Sequence, residues 1–287
     1  MLPVKDIVIR GVRSVYFDSG TYGPSFNREA VVFVHGNPSP MDSWDELAPR
    51  VASFARVIAM DLPGFGRAEH PYDFDFSVAG YARYLGNLLE QLELERVHIV
   101  VHDFGASFAL EWARTQPAGR VGSLTLINSG LLRGYRWHRY ARMWQTPLLG
   151  ELVQLCATPR MIHRGMNWRN PKPLPREFCE SVSRYSDWAH KRAILKLYRA
   201  SRNLDPLIER GIRGGVAGAP PTCVIWGEQD PYIPAEYAHA QREFFPRAEI
   251  NLLPGLGHWP FIDDPALVGD ILTHFLQRQL AEPVAAQ

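Results

Sequence analysis

Six short apolar runs, each closed by turn residues, constrain this chain most. They are "AVVFVHG" from Ala30, "RVIAMDLPG" from Arg56, "VHIVVHD" from Val97, "GSLTLINSG" from Gly122, "PTCVIWGEQD" from Pro221 and "EINLLPGLGH" from Glu249. An unbroken apolar run leaves no polar face for water, so a strand built from it must be covered on both sides, as in a parallel sheet. Residues 6–18 add two β-rich pieces around Gly11. Helical patterns lie between the runs. From Ser77, a suitable N-cap, Val78, Tyr81, Leu85, Leu88, Leu89 and Leu92 recur at helical spacing. The segments after Phe104 (Ala109, Leu110, Trp112, Ala113) and from Pro265 (Leu267, Ile271, Leu272, Phe275, Leu276) read the same way. Strand alternating with helix predicts an α/β fold, a mostly parallel doubly wound sheet with right-handed crossovers.

From about Leu131 to Ala217 the rhythm breaks. This stretch has no strand pattern, is rich in Trp, Tyr, Arg and Pro, and has helical stretches near Trp137–Cys156 and Glu177–Ser201. The expectation is a core domain formed by residues 1–130 and 218–287, with residues 131–217 inserted as a helical cap over the C-terminal edge of the sheet. Ligands bind at that edge in open α/β sheets. With 287 residues, 46% of them hydrophobic and 21% charged, the chain is long enough for one large domain with such an insertion.

The same totals narrow the function. A net charge of +1 gives no nucleic-acid footprint, and the arginines between Arg133 and Arg142 are interleaved with Trp, Tyr and Leu, as on a solvated helix face. Cys156, Cys179 and Cys223 are odd in number and widely spaced, which argues against a disulfide framework and suits a reducing cytoplasm. The opening "MLPVKDIVIRG" lacks the apolar core of a signal peptide, and no run approaches the ~18 residues of a membrane span, so a cytoplasmic protein with no membrane partner is expected. Ten histidines show no zinc spacing. His98 and His102 are four apart, but on a strand rather than a helix, so no metal and no cofactor are expected. Monomer and homodimer both stay open.

The chemistry gathers at strand ends. "VVHDFGAS" puts Asp103 where a strand ends and a helix begins, with Gly105 permitting a tight turn. Hydrolases with a strand-to-helix elbow carry G-x-S-x-G there; this chain has an aspartate at the centre and Val101 two residues before it. The bland alternative makes Asp103 an N-cap. "WGEQDPYIP" places Asp230 just past a strand, and "LPGLGHWPF" places His258 just past the next. Asp230 could be a turn former and His258 a surface histidine. Yet the order Asp103, Asp230, His258 is that of nucleophile, acid and histidine in such hydrolases, and all three fall at the expected edge. In "VFVHGNPSP", His35 and Gly36 shape a turn after the strand that supplies one oxyanion-hole N–H, here from Asn37; the second would come from Phe104.

From Val8 to Leu280 the chain resembles the α/β-hydrolase superfamily, in its aspartate-nucleophile branch of epoxide hydrolases and haloalkane dehalogenases. The resemblance rests on "HGNP", "DLPGFGRAEHP", "VVHDFGAS", "GEQDPYIP" and "GLGHWPF". It implies attack by Asp103 on an alkyl carbon to give a covalent ester, then hydrolysis of that ester by water with His258 as base and Asp230 orienting it. For an epoxide it implies cap tyrosines as proton donors: Tyr198 in "LKLYRASRN" and, as the second, Tyr140, with Tyr135 and His138 as alternatives. For a halide it implies N–H ligands. Asn37 fits, the Phe104 side chain has none to give, and Trp137, Trp144, Trp168 or Trp188 would have to substitute. A haloacid would need a cap arginine such as Arg139 or Arg142. The first expectation is a cofactor-free epoxide hydrolase acting on a small apolar substrate and water; the alternative is a haloalkane or haloacid dehalogenase with the same triad. A binding protein without turnover, or an esterase using Ser107 inside the first helical turn, fits less well.

Overall fold

The computed structural model describes residues 4–20 and 28–281. Eight strands form one sheet: β1 (Val4–Ile9), β2 (Val12–Asp18), β3 (Glu29–Val34), β4 (Val57–Met60), β5 (Arg96–His102), β6 (Val121–Ile127), β7 (Thr222–Gly227) and β8 (Glu249–Leu253). Their order across the sheet is β1-β2-β4-β3-β5-β6-β7-β8. β1 pairs antiparallel with β2 and β2 with β4, while every later pairing is parallel. The sheet is therefore the mostly parallel one that the apolar runs require.

Alternate residues of β3 enter opposite cores. Val32 and Val34 face one containing Tyr81, Leu85 and Phe108; Val31 and Phe33 face another containing Trp44, Leu272 and Phe275. The first core is closed by α2 (Val78–Gln91) and α3 (Phe104–Ala113), the second by α1 (Ala48–Ala52), α11 (Pro260–Asp263) and α12 (Pro265–Ala281). Ser77 caps α2 as expected, its hydroxyl accepting from the Gly80 N–H at 3.1 Å.

Between β6 and β7 the chain is helical: α4 (Arg139–Gln145), α5 (Leu149–Cys156), α6 (Pro159–Asn167), α7 (Arg176–Arg184), α8 (Trp188–Ala200) and α9 (Asp205–Gly214). The two long helical stretches read from the sequence are each divided. Pro147 and Leu148, the latter at φ 65°, separate α4 from α5, and Asp187 starts α8 afresh by accepting from the His190 N–H at 2.8 Å. α10 (Glu236–Ala240) follows β7. No helix among the described residues is long and apolar enough to cross a membrane, and all three cysteines are free.

Candidate functional site

β5 ends at His102, and α3 begins at Phe104. Asp103, between them, adopts φ 49° and ψ −128°, a conformation costing an L-residue on the order of 1–3 kcal/mol. Asp103 takes the N-cap position of α3, but its side chain caps neither the second nor the third helical N–H, so capping is not its role. The elbow is packed against the β3 loop. A Cβ on Gly105 would overlap the Val34 carbonyl oxygen, and one on Gly36 would meet the Asp103 side chain at 2.5 Å. Glycine at these two positions lets the loops approach this closely. Ser129, just past β6, donates its hydroxyl to the Asp103 carbonyl.

Two backbone N–H groups hold the Asp103 carboxylate. The Asn37 N–H donates to Oδ1 at 2.8 Å, and the Phe104 N–H also bonds the carboxylate. The expected oxyanion-hole pair thus converges on the aspartate itself. His35 fixes the Asn37 loop: its Nε2 accepts from the Leu62 N–H at 3.0 Å, and Nδ1–H donates to the Gly36 carbonyl at 2.9 Å. Asp61 ties the neighbouring "DLPGFGR" loop, accepting from the Met41 N–H at 2.7 Å and from Arg67 Nε at 3.1 Å.

His258 completes the group. Its Nδ1 bonds Asp230 Oδ2 at 2.7 Å, while Nε2 faces Asp103 Oδ2 at 3.8 Å. The second distance is too long for a hydrogen bond, so Oδ2 has lone pairs free to attack and Nε2 stays available as a base. Asp230 Oδ1 accepts from the N–H groups of Tyr232 and Ile233, at 2.7 and 3.0 Å.

Two supporting residues escaped the sequence reading. Asn128, at φ 44° just past β6, donates Nδ2 to Asp230 Oδ2 at 2.7 Å and accepts from the Gly227 N–H at 2.9 Å. His102 donates Nε2–H to the His258 carbonyl at 2.8 Å, its ring centroid 4.7 Å from that of His258. The available signal was a polar residue ending an apolar run at the edge where Asp103 and Asp230 also lie.

The electrostatics suit two-step chemistry. Burial pushes the Asp103 carboxyl up, opposed by the His258 charge and the two N–H bonds. Burial alone would push His258 down, but the Asp230 charge and hydrogen bond, with the charge of Asp103, outweigh it and leave the imidazole above its usual value. A raised imidazole is a stronger base once deprotonated. Burial holds Tyr198 well above the usual phenol value, with the charge of Asp103 adding to it.

Above these groups is a cavity of about 210 Å³. Asn37, Asp103, Phe104 and His258 form part of its wall, and residues of α4, α5, α6, α7 and α8 form another part. Tyr198 is buried there, its hydroxyl oxygen accepting from Asn37 Nδ2 at 3.2 Å and its ring edge-on to Phe104. Tyr140 lines the same cavity, packed with Trp144 and Trp168. His138 lies between Tyr198 and Tyr232, ring centroids 6.2 and 5.1 Å away. The Tyr135 hydroxyl donates to the Tyr232 carbonyl.

Several expectations for other substrates are corrected. Arg139 and Arg142 are exposed and do not line the cavity, whose described wall carries no Arg or Lys. Trp137 spends its indole N–H on the Arg202 carbonyl at 3.0 Å. Trp168 and Trp188 are exposed and lie outside the wall, leaving Trp144 as the cavity tryptophan of those four whose N–H has no acceptor among the described residues. Ser107 lines the cavity from within α3.

One wall residue gives a test of stability. His190 is buried and donates Nδ1–H to the Gly64 carbonyl at 3.0 Å; burial depresses its pKa to about 4. The folded chain keeps this imidazole neutral, whereas the unfolded chain protonates it near pH 6.5. The unfolded state therefore binds more protons between those values, so stability falls on acidification through this window. Its share of the loss is expected to be about 2 kcal/mol at pH 5 and about 3 kcal/mol by pH 4. Urea unfolding at pH 7 and pH 5 checks this; equal losses in wild type and His190→Gln would contradict it.

The sequence matches the α/β hydrolase family over residues 31–271. An uncharacterized protein of Mycobacterium tuberculosis is 26% identical over 296 residues, covering 96% of this chain and 83% of that one. A haloalkane dehalogenase of Mesorhizobium japonicum is 33% identical over 145 residues, covering 50% of this chain and 43% of that one. Among solved structures, haloalkane dehalogenase DbeA from Bradyrhizobium elkani superposes with a TM-score of 0.81 at 20% identity, covering 97% of this chain and 99% of that one. A Vigna radiata epoxide hydrolase mutant does so with 0.79 at 18%, covering 96% and 99%. At these identities the two structures are similar in fold alone.

Proposed function

The chain belongs to the α/β-hydrolase family, and we propose that it is an epoxide hydrolase working through a covalent ester on Asp103. The observation that carries this reading is the position of the two N–H groups. Those of Asn37 and Phe104 bond the Asp103 carboxylate, so the oxyanion they stabilise forms on the enzyme's own carboxyl group.

Asp103 Oδ2 attacks an epoxide carbon, the carbon–oxygen bond breaks, and the oxygen takes the Tyr198 phenolic proton. Asn37 Nδ2 donates into the Tyr198 oxygen, which leaves the phenol's own hydrogen to point elsewhere. The charge of Asp103 helps to hold the Tyr198 proton on, and forming the ester removes that charge. The phenol thus becomes a better acid in the step that needs its proton. Water then attacks the ester carbon while His258 Nε2 takes its proton. The tetrahedral oxyanion rests on the Asn37 and Phe104 N–H groups. Its collapse expels the diol oxygen, which takes a proton from His258, and the proton left on the Asp103 carboxylic acid returns to Tyr198, restoring the carboxylate.

For the second donor His138 stands beside Tyr140 on the cavity wall. His138 Nδ1 accepts from the Ala141 N–H at 3.2 Å, so the ring proton resides on Nε2. Burial, aided by the His258 charge, lowers its pKa to about 4, so the ring is a neutral donor near pH 7. The apolar wall, closed by a cap of residues 131–217, suits small apolar or aromatic epoxides.

The second reading, carbon–halogen hydrolysis, shares the triad and draws on the resemblance to the Mesorhizobium dehalogenase. It would leave the halide to Asn37 and Trp144. The wall without Arg or Lys speaks against haloacids.

Tyr198→Phe separates the two readings. It is expected to slow ester formation from styrene oxide by on the order of 10²–10³, less if His138 compensates, while barely slowing ester formation from 1-bromobutane, whose bromide needs no proton. Rapid-quench measurement resolves the step. Unchanged alkylation by the epoxide in a folded variant would make Tyr198 a packing residue and leave the halide reading in its place.

A further inference from the structure

The charge of this chain is divided very unevenly. Residues 131–217 carry 17 Lys and Arg against 6 Asp and Glu, a net of +11. The rest carries 14 against 24, a net of −10, and the overall +1 hides the difference. Exposed apolar side chains gather in the same segment. On and beside α5, Leu148, Leu149, Leu152 and Leu155 are 83%, 41%, 58% and 67% exposed. Leu148, Leu152 and Leu155 are spaced to share one helix face.

α6 continues the pattern. Met161 is 56% exposed and stands between the exposed Arg160 and Arg164. Neither arginine has a carboxylate partner among the described residues. Just beyond, Arg169 stacks over the exposed ring of Trp168 at 4.9 Å. The opposite sides of these helices, through Val153, Gln154 and Ile162, line the cavity. Met161 does both: it is exposed and part of the cavity wall, so this surface borders the cavity mouth.

We propose that the α5–α6 surface docks on an anionic lipid bilayer, with the leucines and Met161 entering the interface and the arginines on the headgroups. Leu, Met and Trp interleaved with Arg is the composition of a surface that lies in a membrane interface. Charge decides against the other occupants. A second copy would bring a like-charged face against this one. Nucleic acid would satisfy the arginines and leave four exposed leucines unaccounted for. Docking would set the cavity mouth against the lipid, where an apolar molecule can enter without crossing water. This goes against the sequence expectation of no membrane partner, which rested on the lack of a signal-peptide core and of a spanning segment; neither bears on a peripheral surface.

The test is co-sedimentation of the full chain with vesicles of phosphatidylglycerol or phosphatidylcholine. Binding is expected to the anionic vesicles, at least about tenfold weaker to the neutral ones, and to fall as salt rises from about 0.1 to about 0.5 M. Both Arg160→Glu/Arg164→Glu and Leu152→Ser/Leu155→Ser are expected to lose at least about tenfold in binding with unchanged melting temperature, since all four side chains are solvent-exposed. Any of three results would overturn the proposal. The first is no binding, or equal binding to both vesicles. The second is a concentration-dependent dimer that the leucine variant dissolves. The third is tighter binding to duplex DNA, with the leucine variant unaffected.

Discussion

Asp103→Ala is expected to lose at least about 10⁴-fold in turnover of its best epoxide while remaining folded. The loss follows from the proposed division of labour. Without the carboxylate there is no atom to form the ester, and His258, held by Asp230 at 2.7 Å, has no ester to deliver water to. Stability should change little, because two effects oppose each other. The substitution removes a carboxylate that burial disfavours in its charged form. It also leaves the Asn37 and Phe104 N–H groups without their acceptor, at about 1–3 kcal/mol each if no water replaces it. Steady-state assay beside urea unfolding separates loss of chemistry from loss of fold. More than a few per cent of residual activity in a folded variant would remove Asp103 as nucleophile. Asparagine is the poorer control, since the site could hydrolyse its amide back to aspartate.

The sheet was legible because a buried parallel strand leaves a plain mark: five of the six runs became the buried strands β3 to β7, and the sixth became the half-exposed edge strand β8. The three residues of the constellation were legible for a related reason. Asp103, Asp230 and His258 each follow such a run directly, so finding the strand ends found them. What supports them was harder to read. Asn128 touches Asp230 across 102 positions of sequence, and a lone Asn in "LINSG" looks like a turn residue until the fold brings the β7 loop beside it. His102, at the end of a strand four residues from His98, shows no partner in the sequence, because its bond to the His258 carbonyl spans 156 positions.

The helical insertion was the least legible. Its existence was clear from the missing strand pattern, but its helix ends depend on single residues such as Leu148 and Asp187. Which of its aromatic and basic side chains face the cavity depends on tertiary packing. Tyr198 was named only through the family resemblance and does line the cavity, whereas Arg139 and Arg142 are exposed outside its wall. The charge division between insertion and core was present in the sequence all along, masked by a total of +1.

His258→Gln tests the central claim most directly, because attack by Asp103 needs no base and the attack of water does. The variant keeps Asp103, its two N–H donors and Tyr198, so the first half-reaction should proceed and the second should stop. Intact-mass measurement of the variant after addition of styrene oxide is expected to show one added substrate mass per chain. Peptide mapping is expected to place that mass on Asp103. A folded variant that stays unmodified by every epoxide and haloalkane offered, or that carries the mass on another residue, would contradict ester formation on Asp103.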